Sequence, residues 1–77
     1  MLLTLNAHGK TETEKSERGV EKFYFVLEGS VIAHLEQKDY TLNANDTLYF
    51  DAAIAHHLTN PAGKQARVFC AVSPSKI

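Results

Sequence analysis

The sequence predicts one all-β domain, folded as a small sandwich or barrel. Short runs of aromatic and β-branched residues follow one another along the chain, and Gly, Asn, Asp and Pro residues separate them. Several short strands at this spacing are typical of all-β sandwiches and barrels. The one long polar segment, residues 10–19, has no apolar stripe that a helix could bury.

The length of the chain limits how such a domain can be stabilised. Its 77 residues form a single domain. A chain of this size buries only about 60% of the surface that its unfolded form exposes, and such domains commonly gain stability from disulfides, metals or oligomerisation. Cys70 is the only cysteine, so an internal disulfide is excluded and a metal or a partner chain remains. Cys70 lies in the apolar run ARVFCAV, where we expect a buried, unreactive thiol.

The charge balance argues against some classes of partner. Eight basic and nine acidic residues give a formal net charge of −1, which is not typical of a nucleic-acid-binding or anionic-membrane surface. No apolar run approaches the roughly 18 residues that a membrane span needs. The start, MLLTLNAHGK, lacks the basic and apolar regions of a signal peptide. We therefore expect a cytoplasmic protein with no direct nucleic-acid or membrane partner.

The predicted elements follow the apolar runs in chain order. Residues 10–19, KTETEKSERG, are expected to form an exposed loop or a mobile strand extension. The predicted strands then occupy the runs 20–29, 30–37, 40–42, 47–50, 55–60 and 66–72.

Alternation along the first two of these strands indicates a partner chain. In strand 20–28, one face carries Lys22, Tyr24 and Val26, and the other carries Phe23, Phe25 and Leu27. A solvated antiparallel strand would have a polar second face, whereas both faces are apolar here. In strand 30–36, Ile32 lies on the face opposite the row Val31, Ala33 and Leu35. We therefore expect a homodimer that associates through a face containing Phe23, Phe25 and Ile32.

Two stretches, FYFVLEGSV and YTLNANDTLYFDAAIAHHLTNP, resemble the cupin family. The resemblance covers roughly residues 18–74, and the pieces FVLEG, LYFDAAIAHHLTNP and ARVFCAVSP are similar to the small cupin module found behind helix-turn-helix domains in bacterial regulators. It implies a single cupin domain over residues 1–77, with residues 10–19 as a polar loop. The implied fold is a small double-stranded β-helix, a jelly-roll-like barrel with a cavity inside.

The first family motif implies two histidines and a glutamate as metal ligands, but this chain has none of them. The glutamate position lies seven residues before Gly29 and is occupied by Lys22. The two histidines would fall within residues 15–18, which read Lys, Ser, Glu and Arg. The first motif therefore retains the residues around Gly29 but none of its metal ligands.

The second motif keeps its spacing and part of its chemistry. Its histidine and asparagine correspond to His56 and Asn60. Its first glycine is replaced by Asn45, which tolerates a positive φ, and a proline and a second glycine are replaced by Asp51 and Ala53.

The adjacent histidines in AIAHHLTNP look like a two-ligand cluster, but strand alternation separates them. The family register places His56 inside the barrel, together with Leu58 and Asn60. His57 then points outward as a surface or interface residue. His34 is also expected to face away from the cavity.

The candidate ligand-binding residues are those that the register turns inward, together with two aromatic wall residues. They are Lys22, Tyr24, Tyr40, His56, Leu58 and Asn60. Lys22 has two interpretations: it binds an anionic ligand beside His56, or its ammonium extends to the barrel mouth and is solvated. A divalent metal would have to be held by His56, with His8 as a possible second ligand. No nucleophile–base pair and no phosphate loop is visible.

Three functions remain open from the sequence. The first is a non-catalytic module that binds or senses a small molecule and needs no cofactor. The second is a metal-dependent enzyme of the isomerase, dioxygenase or decarboxylase type, with an unusual site around His56. The third is a structural cupin without a ligand. The metal-dependent enzyme is supported only by fold analogy, and fold is a poor guide to function. The missing metal ligands of the first motif favour the binding module.

Overall fold

The computed structural model describes residues 1–74 of the chain, and within them it contains only strands, turns and loops. The strands are β1 (Leu2–Leu5), β2 (Val20–Glu28), β3 (Val31–Leu35), β4 (Lys38–Leu42), β5 (Thr47–Asp51), β6 (His56–Thr59) and β7 (Ala66–Pro74). The prediction of an all-β domain is confirmed, and each of the six predicted runs overlaps a strand. None of the described residues forms a helix that could cross a membrane.

The strands form two antiparallel sheets that enclose the core. One sheet has the order β1-β7-β2-β5, and the other has the order β4-β3-β6. The alternating residues Tyr24 and Val26 of β2 pack inward, as do Val31 and Ala33 of β3, and these four side chains are at most 3% exposed. The alternation that predicted an inner face for both strands is therefore confirmed.

Two tight turns need a backbone that few residues adopt. Gly29, between β2 and β3, has a φ of 80°, and a Cβ there would lie 3.1 Å from the Cβ of Ala66. Asn45 has a φ of 75°, and its backbone N–H donates to the carbonyl of Val26 at 2.7 Å. Asparagine replaces the glycine of the second motif without breaking the turn, because its short side chain tolerates this conformation.

The N-terminal third of the chain is more ordered than the sequence predicts. Strand β1 was not predicted, since a run of four residues at the chain start carries little pattern, yet it pairs with β7. Residues 9–16, here called the strap, lie along the free edge of β6. Their pairing with β6 includes the bridges Lys10 with Thr59 and Glu14 with His56. Residues 10–19 form no regular strand and are largely exposed, as expected for a loop, but the strap that overlaps them is bridged to the edge of β6.

Backbone hydrogen bonds fix the strap at several points. The N–H of Thr11 donates to the carbonyl of Leu58 at 2.9 Å, and the N–H of Glu14 donates to the carbonyl of His56 at 2.8 Å. The N–H of His56 returns a bond to the carbonyl of Glu14 at 2.9 Å. A polar sequence can pair in this way because ladder bonds involve only the backbone.

The predicted dimer face is divided between the two sheets. Phe23 and Phe25 lie on the outer face of the four-stranded sheet, whereas Ile32 lies on the outer face of the three-stranded sheet. The outer faces of two stacked sheets point in opposite directions, so one continuous face cannot contain all three residues. The proposed composition of that face is therefore wrong.

Candidate functional site

A small cavity of about 60 Å³ lies between the two sheets and the strap. It is lined by Met1, Leu3, Thr11, Glu12, Glu14, Lys22, Tyr24, His56 and Cys70. Three of the six residues predicted to bind a ligand, Lys22, Tyr24 and His56, therefore meet at one place. Strand alternation explains this, because Lys22 and Tyr24 share the inner face of β2 and His56 begins the inner row of β6.

Lys22 and His56 form a buried hydrogen-bonded pair at the cavity. The Nζ of Lys22 lies 2.9 Å from the Nε2 of His56, and the side chains are 9% and 1% exposed. The Nδ1 of His56 lies 2.7 Å from the carbonyl oxygen of Ile54, which can only accept a hydrogen bond. When Nδ1–H donates to this carbonyl, the lone pair of Nε2 is the acceptor for the ammonium of Lys22.

The ammonium of Lys22 also forms an ion pair with the carboxylate of Glu14. Glu14 is contributed by the strap, and its side chain is 62% exposed. The hydrogen bond from Lys22 lowers the pKa of the Glu14 carboxyl, and the charge of Lys22 adds to this against an opposing effect of burial. Lys22 is therefore neither solvated at the barrel mouth nor without a counter-ion.

Tyr24 brings a polar group to the cavity that the protein does not use. The residue is 3% exposed, and within residues 1–74 its hydroxyl makes no hydrogen bond although it lines the cavity. Its ring packs against Phe50 at a centroid distance of 5.2 Å, and Phe50 contacts the ring of His56 at 5.1 Å. Burial raises the pKa of Tyr24, so its hydroxyl stays protonated and can donate a hydrogen bond.

Cys70 lines the same cavity from β7, where it is paired with Tyr24 in the sheet. It is 2% exposed, and burial raises the pKa of its thiol. The expectation of a buried free thiol is confirmed. A protonated thiol is a weak nucleophile, so its chemistry here is that of an apolar wall.

Three of the predicted ligand-binding residues lie elsewhere. Tyr40 is 38% exposed and borders a separate open groove with Leu35 and Ile54. Leu58 is fully buried in the core. Neither is among the residues that line the cavity, because inward alternation alone does not specify which end of the barrel a side chain reaches.

Asn60 is also buried, but its amide is committed to the backbone. Its Nδ2 lies 3.2, 3.1 and 2.7 Å from the carbonyl oxygens of Leu5, Asn6 and Lys64, which share its two N–H groups, and its Oδ1 accepts from the N–H of Ala62 at 3.1 Å. These bonds join the end of β1 to the turn after β6. Asn60 is therefore a structural residue and is not presented to the cavity.

The residues at the cavity do not fit the metal that the family motif implies. Within residues 1–74, no group of three or more His, Cys, Asp and Glu side chains is arranged to hold a metal ion. His8, the suggested second ligand, is exposed in the turn after β1 and does not line the cavity. The donor atoms of His56 and Glu14 that face the cavity already bind the ammonium of Lys22.

His56 and His57 lie on opposite faces of β6, as strand alternation predicts. His56 is buried, whereas His57 points outward and stacks on His34 of β3 at a centroid distance of 4.4 Å. His34 is held by Asp39 at 2.8 Å and by Thr59 at 2.9 Å. The expectation that His34 and His57 face away from the cavity is confirmed.

Sequence reasoning missed the contribution of the strap, above all Glu14. Two signals pointed to it. A lysine on the inner face of a strand requires a counter-charge, and the letters TETE have the two-residue period of a strand. The register of the strap shifts by one residue between its two bridges to β6, so the pattern alone does not identify which glutamate reaches Lys22.

Comparisons with solved structures agree with this architecture. A Thermus thermophilus protein superimposes with a TM-score of 0.85 at 20% identity, over 95% of this chain and 69% of the other. A cupin domain from an XRE-family transcriptional regulator of Enterobacter cloacae gives 0.84 at 17% identity, over 92% of this chain and 74% of the other. A Thermotoga maritima protein described as a predicted oxalate decarboxylase gives 0.82 at 20% identity, over 92% and 61%. At these identities the likeness establishes the fold alone.

The family comparison agrees with the structural one. A search of curated proteins finds no match to the sequence. The family model for the cupin domain matches residues 1–72, which is nearly the whole chain. Together with the two antiparallel sheets and the retained second motif, this match establishes that the chain belongs to the cupin family.

Proposed function

We propose that this cupin domain binds a small polar molecule in the cavity between Lys22, Tyr24 and His56, without a metal ion and without catalysing a reaction. One observation carries the proposal. The buried ammonium of Lys22 borders the same cavity as the hydroxyl of Tyr24, which has no hydrogen-bond partner among residues 1–74. Convergent polar groups among apolar walls are the usual composition of a ligand site.

The donors that remain for a ligand can be counted. An ammonium has three N–H groups, and those of Lys22 have two partners, Glu14 and His56. One N–H of Lys22 and the hydroxyl of Tyr24 are thus left for an oxygen atom of a bound molecule. Cys70 and Leu3 supply the less polar walls.

The size of the cavity limits the ligand. A cavity of about 60 Å³ exceeds the roughly 10–15 Å³ that one water needs, and is far below the roughly 300 Å³ or more of a pocket for a drug-sized ligand. The ligand is therefore a molecule of a few non-hydrogen atoms, unless the strap moves to enlarge the space. The presence of this cavity also favours a binding domain over a structural cupin with a filled core.

The metal-dependent enzyme is the less favoured alternative. The Thermotoga maritima relative is described as a predicted oxalate decarboxylase, but the identity of 20% does not extend that activity to this chain. A metal ion bound by Nε2 of His56 would have to displace the ammonium of Lys22, which is hydrogen-bonded to that nitrogen.

Thermal shift measurements on the purified chain test the proposal. A panel of formate, acetate, glycolate, formamide and ethylene glycol should contain a compound that raises the melting temperature by several degrees at saturation. The shift should be lost in Lys22→Met and reduced in Tyr24→Phe. Lys38→Met removes the same charge from an exposed position and should behave as the wild type.

Two results would overturn the proposed function. Equal shifts in the wild type and in Lys22→Met would exclude the cavity as the site. Stoichiometric iron, manganese, nickel or zinc in the purified protein, lost on His56→Ala, would show a metal centre instead.

A further inference from the structure

We propose that the carboxylate of Glu14 occupies the ligand position at Lys22 in the free protein, and that the ligand is a small monocarboxylate which displaces it. This inference rests on the proposed binding function and adds the class of the ligand and an internal competitor. Glu14 is then an autoinhibitory residue rather than a part of the binding site.

The exposure of the three polar groups supports exchange at Glu14 and not at its partners. The side chains of Lys22 and His56 are 9% and 1% exposed, whereas that of Glu14 is 62% exposed. The carboxylate therefore reaches the ammonium from the solvent side of the cavity. On leaving Lys22 it regains full hydration, which offsets part of the lost ion-pair energy.

The strap does not depend on the Glu14 side chain for its position. It is held to β6 by backbone bonds at Thr11 and Glu14, and the Oγ1 of Thr11 accepts from the N–H of Leu58 at 2.9 Å. A change of the Glu14 rotamer can thus vacate the ammonium while the strand pairing stays in place. The competitor is a side chain on a fixed backbone.

For a ligand that displaces Glu14, rather than one that binds only the third N–H of Lys22, charge balance selects the chemical class. A neutral molecule that displaced Glu14 would leave the ammonium of Lys22 buried without a counter-ion, which is strongly unfavourable. An incoming carboxylate keeps the pair neutral, and its second oxygen can accept from the hydroxyl of Tyr24, which Glu14 leaves unused. The exchange therefore gains a hydrogen bond without losing an ion pair.

Size and the remaining charges select one carboxylate rather than two. The cavity of about 60 Å³ has room for formate or acetate. Glu12 also lines the cavity, and together with a displaced Glu14 it places negative charge at the mouth. A dianion would be repelled there, so we expect monocarboxylates to bind in preference to dicarboxylates or phosphate.

Titration of acetate and formate at constant ionic strength tests the inference, with the wild type, Glu14→Gln and Glu17→Gln compared by calorimetry or by NMR shifts. If Glu14 occupies the ammonium more than about nine-tenths of the time, its removal should tighten acetate binding roughly tenfold or more. Glu17→Gln removes the same charge from an exposed position that does not line the cavity, and should change the affinity less than about threefold. Lys22→Met should abolish binding.

A measurement on the wild type avoids dependence on the stability of the variant. On saturation with acetate, the NMR titration of the Glu14 carboxyl should show its pKa rising toward the ordinary value near 4.5, since Lys22 no longer binds it. The amides of Thr11 and Glu14 should stay protected from hydrogen exchange, because the strap remains paired.

The failure of this inference is distinguishable from that of the proposed function. Weaker acetate binding in Glu14→Gln would make Glu14 part of the site and overturn the inference, while the cavity would remain the binding site. Tighter binding of a neutral compound than of acetate in all three proteins would likewise overturn only the ligand class. Acetate binding that survives Lys22→Met unchanged would overturn both.

Discussion

Lys22 illustrates how a charged side chain is accommodated in the core of a small domain. Burial of an unpaired ammonium costs several kcal/mol, so it requires partners. Glu14 supplies the counter-charge and the neutral imidazole of His56 supplies an acceptor. The ammonium thus sits between a carboxylate and an imidazole nitrogen, which are donor types that a divalent cation also prefers.

Exchange of this internal cation for a carboxylate should produce a metal site. Lys22→Glu removes the ammonium and adds a carboxylate beside His56 and Glu14, so that three protein donors converge. We expect the variant to retain about one equivalent of zinc or nickel after dialysis, measured by elemental analysis. It should also be less stable than the wild type without metal, because two carboxylates then repel each other.

The double variant Lys22→Glu with His56→Ala provides the control. It keeps the added carboxylate but loses the imidazole donor, so its metal content should return to that of the wild type. Equal metal retention in both variants would show that the ion binds elsewhere.

Asn60 should matter for stability rather than for binding. Asn60→Ala removes its bonds to the carbonyls of Leu5, Asn6 and Lys64 and leaves these groups without this donor. We expect the free energy of unfolding to fall by about 2 kcal/mol, and the melting temperature by roughly 10 °C. Asn43→Ala, which removes only an exposed bond to Ser30, is the matched control and should shift the melting temperature by much less. A loss of ligand affinity without a loss of stability would contradict this structural role.

Strand β6 has a histidine on each of its faces. Its inner row begins with His56 at the cavity and continues with Leu58 in the core, while His57 and Thr59 face outward. β6 is the edge strand of its sheet, but two isolated bridges to the strap cover this edge. Its outer histidine is therefore surrounded by groups from β3, β4 and the strap.

The outer face of β6 should make the stability of the protein depend on pH. Burial lowers the pKa of His57, and the neighbouring charges of His34 and Lys10 lower it further against an opposing effect of Asp39. Because the folded-state pKa lies below the ordinary value of 6.5, the unfolded chain takes up the proton first as the pH falls. The free energy of unfolding should therefore decrease as the pH falls through 6.5, and level off below the folded-state pKa.

Urea unfolding at a series of pH values checks this dependence. The variant His57→Gln has no imidazole at this position and should lose its part of the decrease between pH 7 and pH 5. His8→Gln, at an exposed turn, should retain it. A stability that rises on acidification across this interval in the wild type would contradict the sign.

The outer face of the four-stranded sheet carries several exposed apolar side chains. A cross-strand row runs from Leu2 through Phe69 and Phe25, and Tyr49 pairs with Phe23 beside it. Leu2, Phe69 and Tyr49 are 47%, 42% and 64% exposed. Adjacent exposed apolar residues of this kind commonly mark a contact surface.

We expect the chain to form a homodimer through this face, without Ile32. Light scattering at micromolar concentration should give the mass of a dimer, because burial of the aromatic row offsets the cost of association. Phe69→Ser should shift the mass toward the monomer, whereas Tyr40→Ser, an exposed aromatic residue of the other sheet, should not. A monomeric mass for the wild type would contradict the expectation.

The fold was more predictable than the site. The alternation of β2, β3 and β6 identified which side chains face inward, and the spacing of the second motif identified the family. The same reasoning gave Lys22, Tyr24 and His56 as cavity residues, but it also included Leu58 and Asn60. These two point inward as well, and only the position along the barrel distinguishes them from His56.

The sequence by itself determined the inner and outer faces of the strands, since a two-residue period is a local property of the extended chain. It also separated His56 from His57 for the same reason. Only the tertiary structure decided that Lys22 meets Glu14, eight residues away, and His56, 34 residues away. Such contacts depend on which strand edges pair and in which register, and a polar strap pairs through backbone groups that every residue carries.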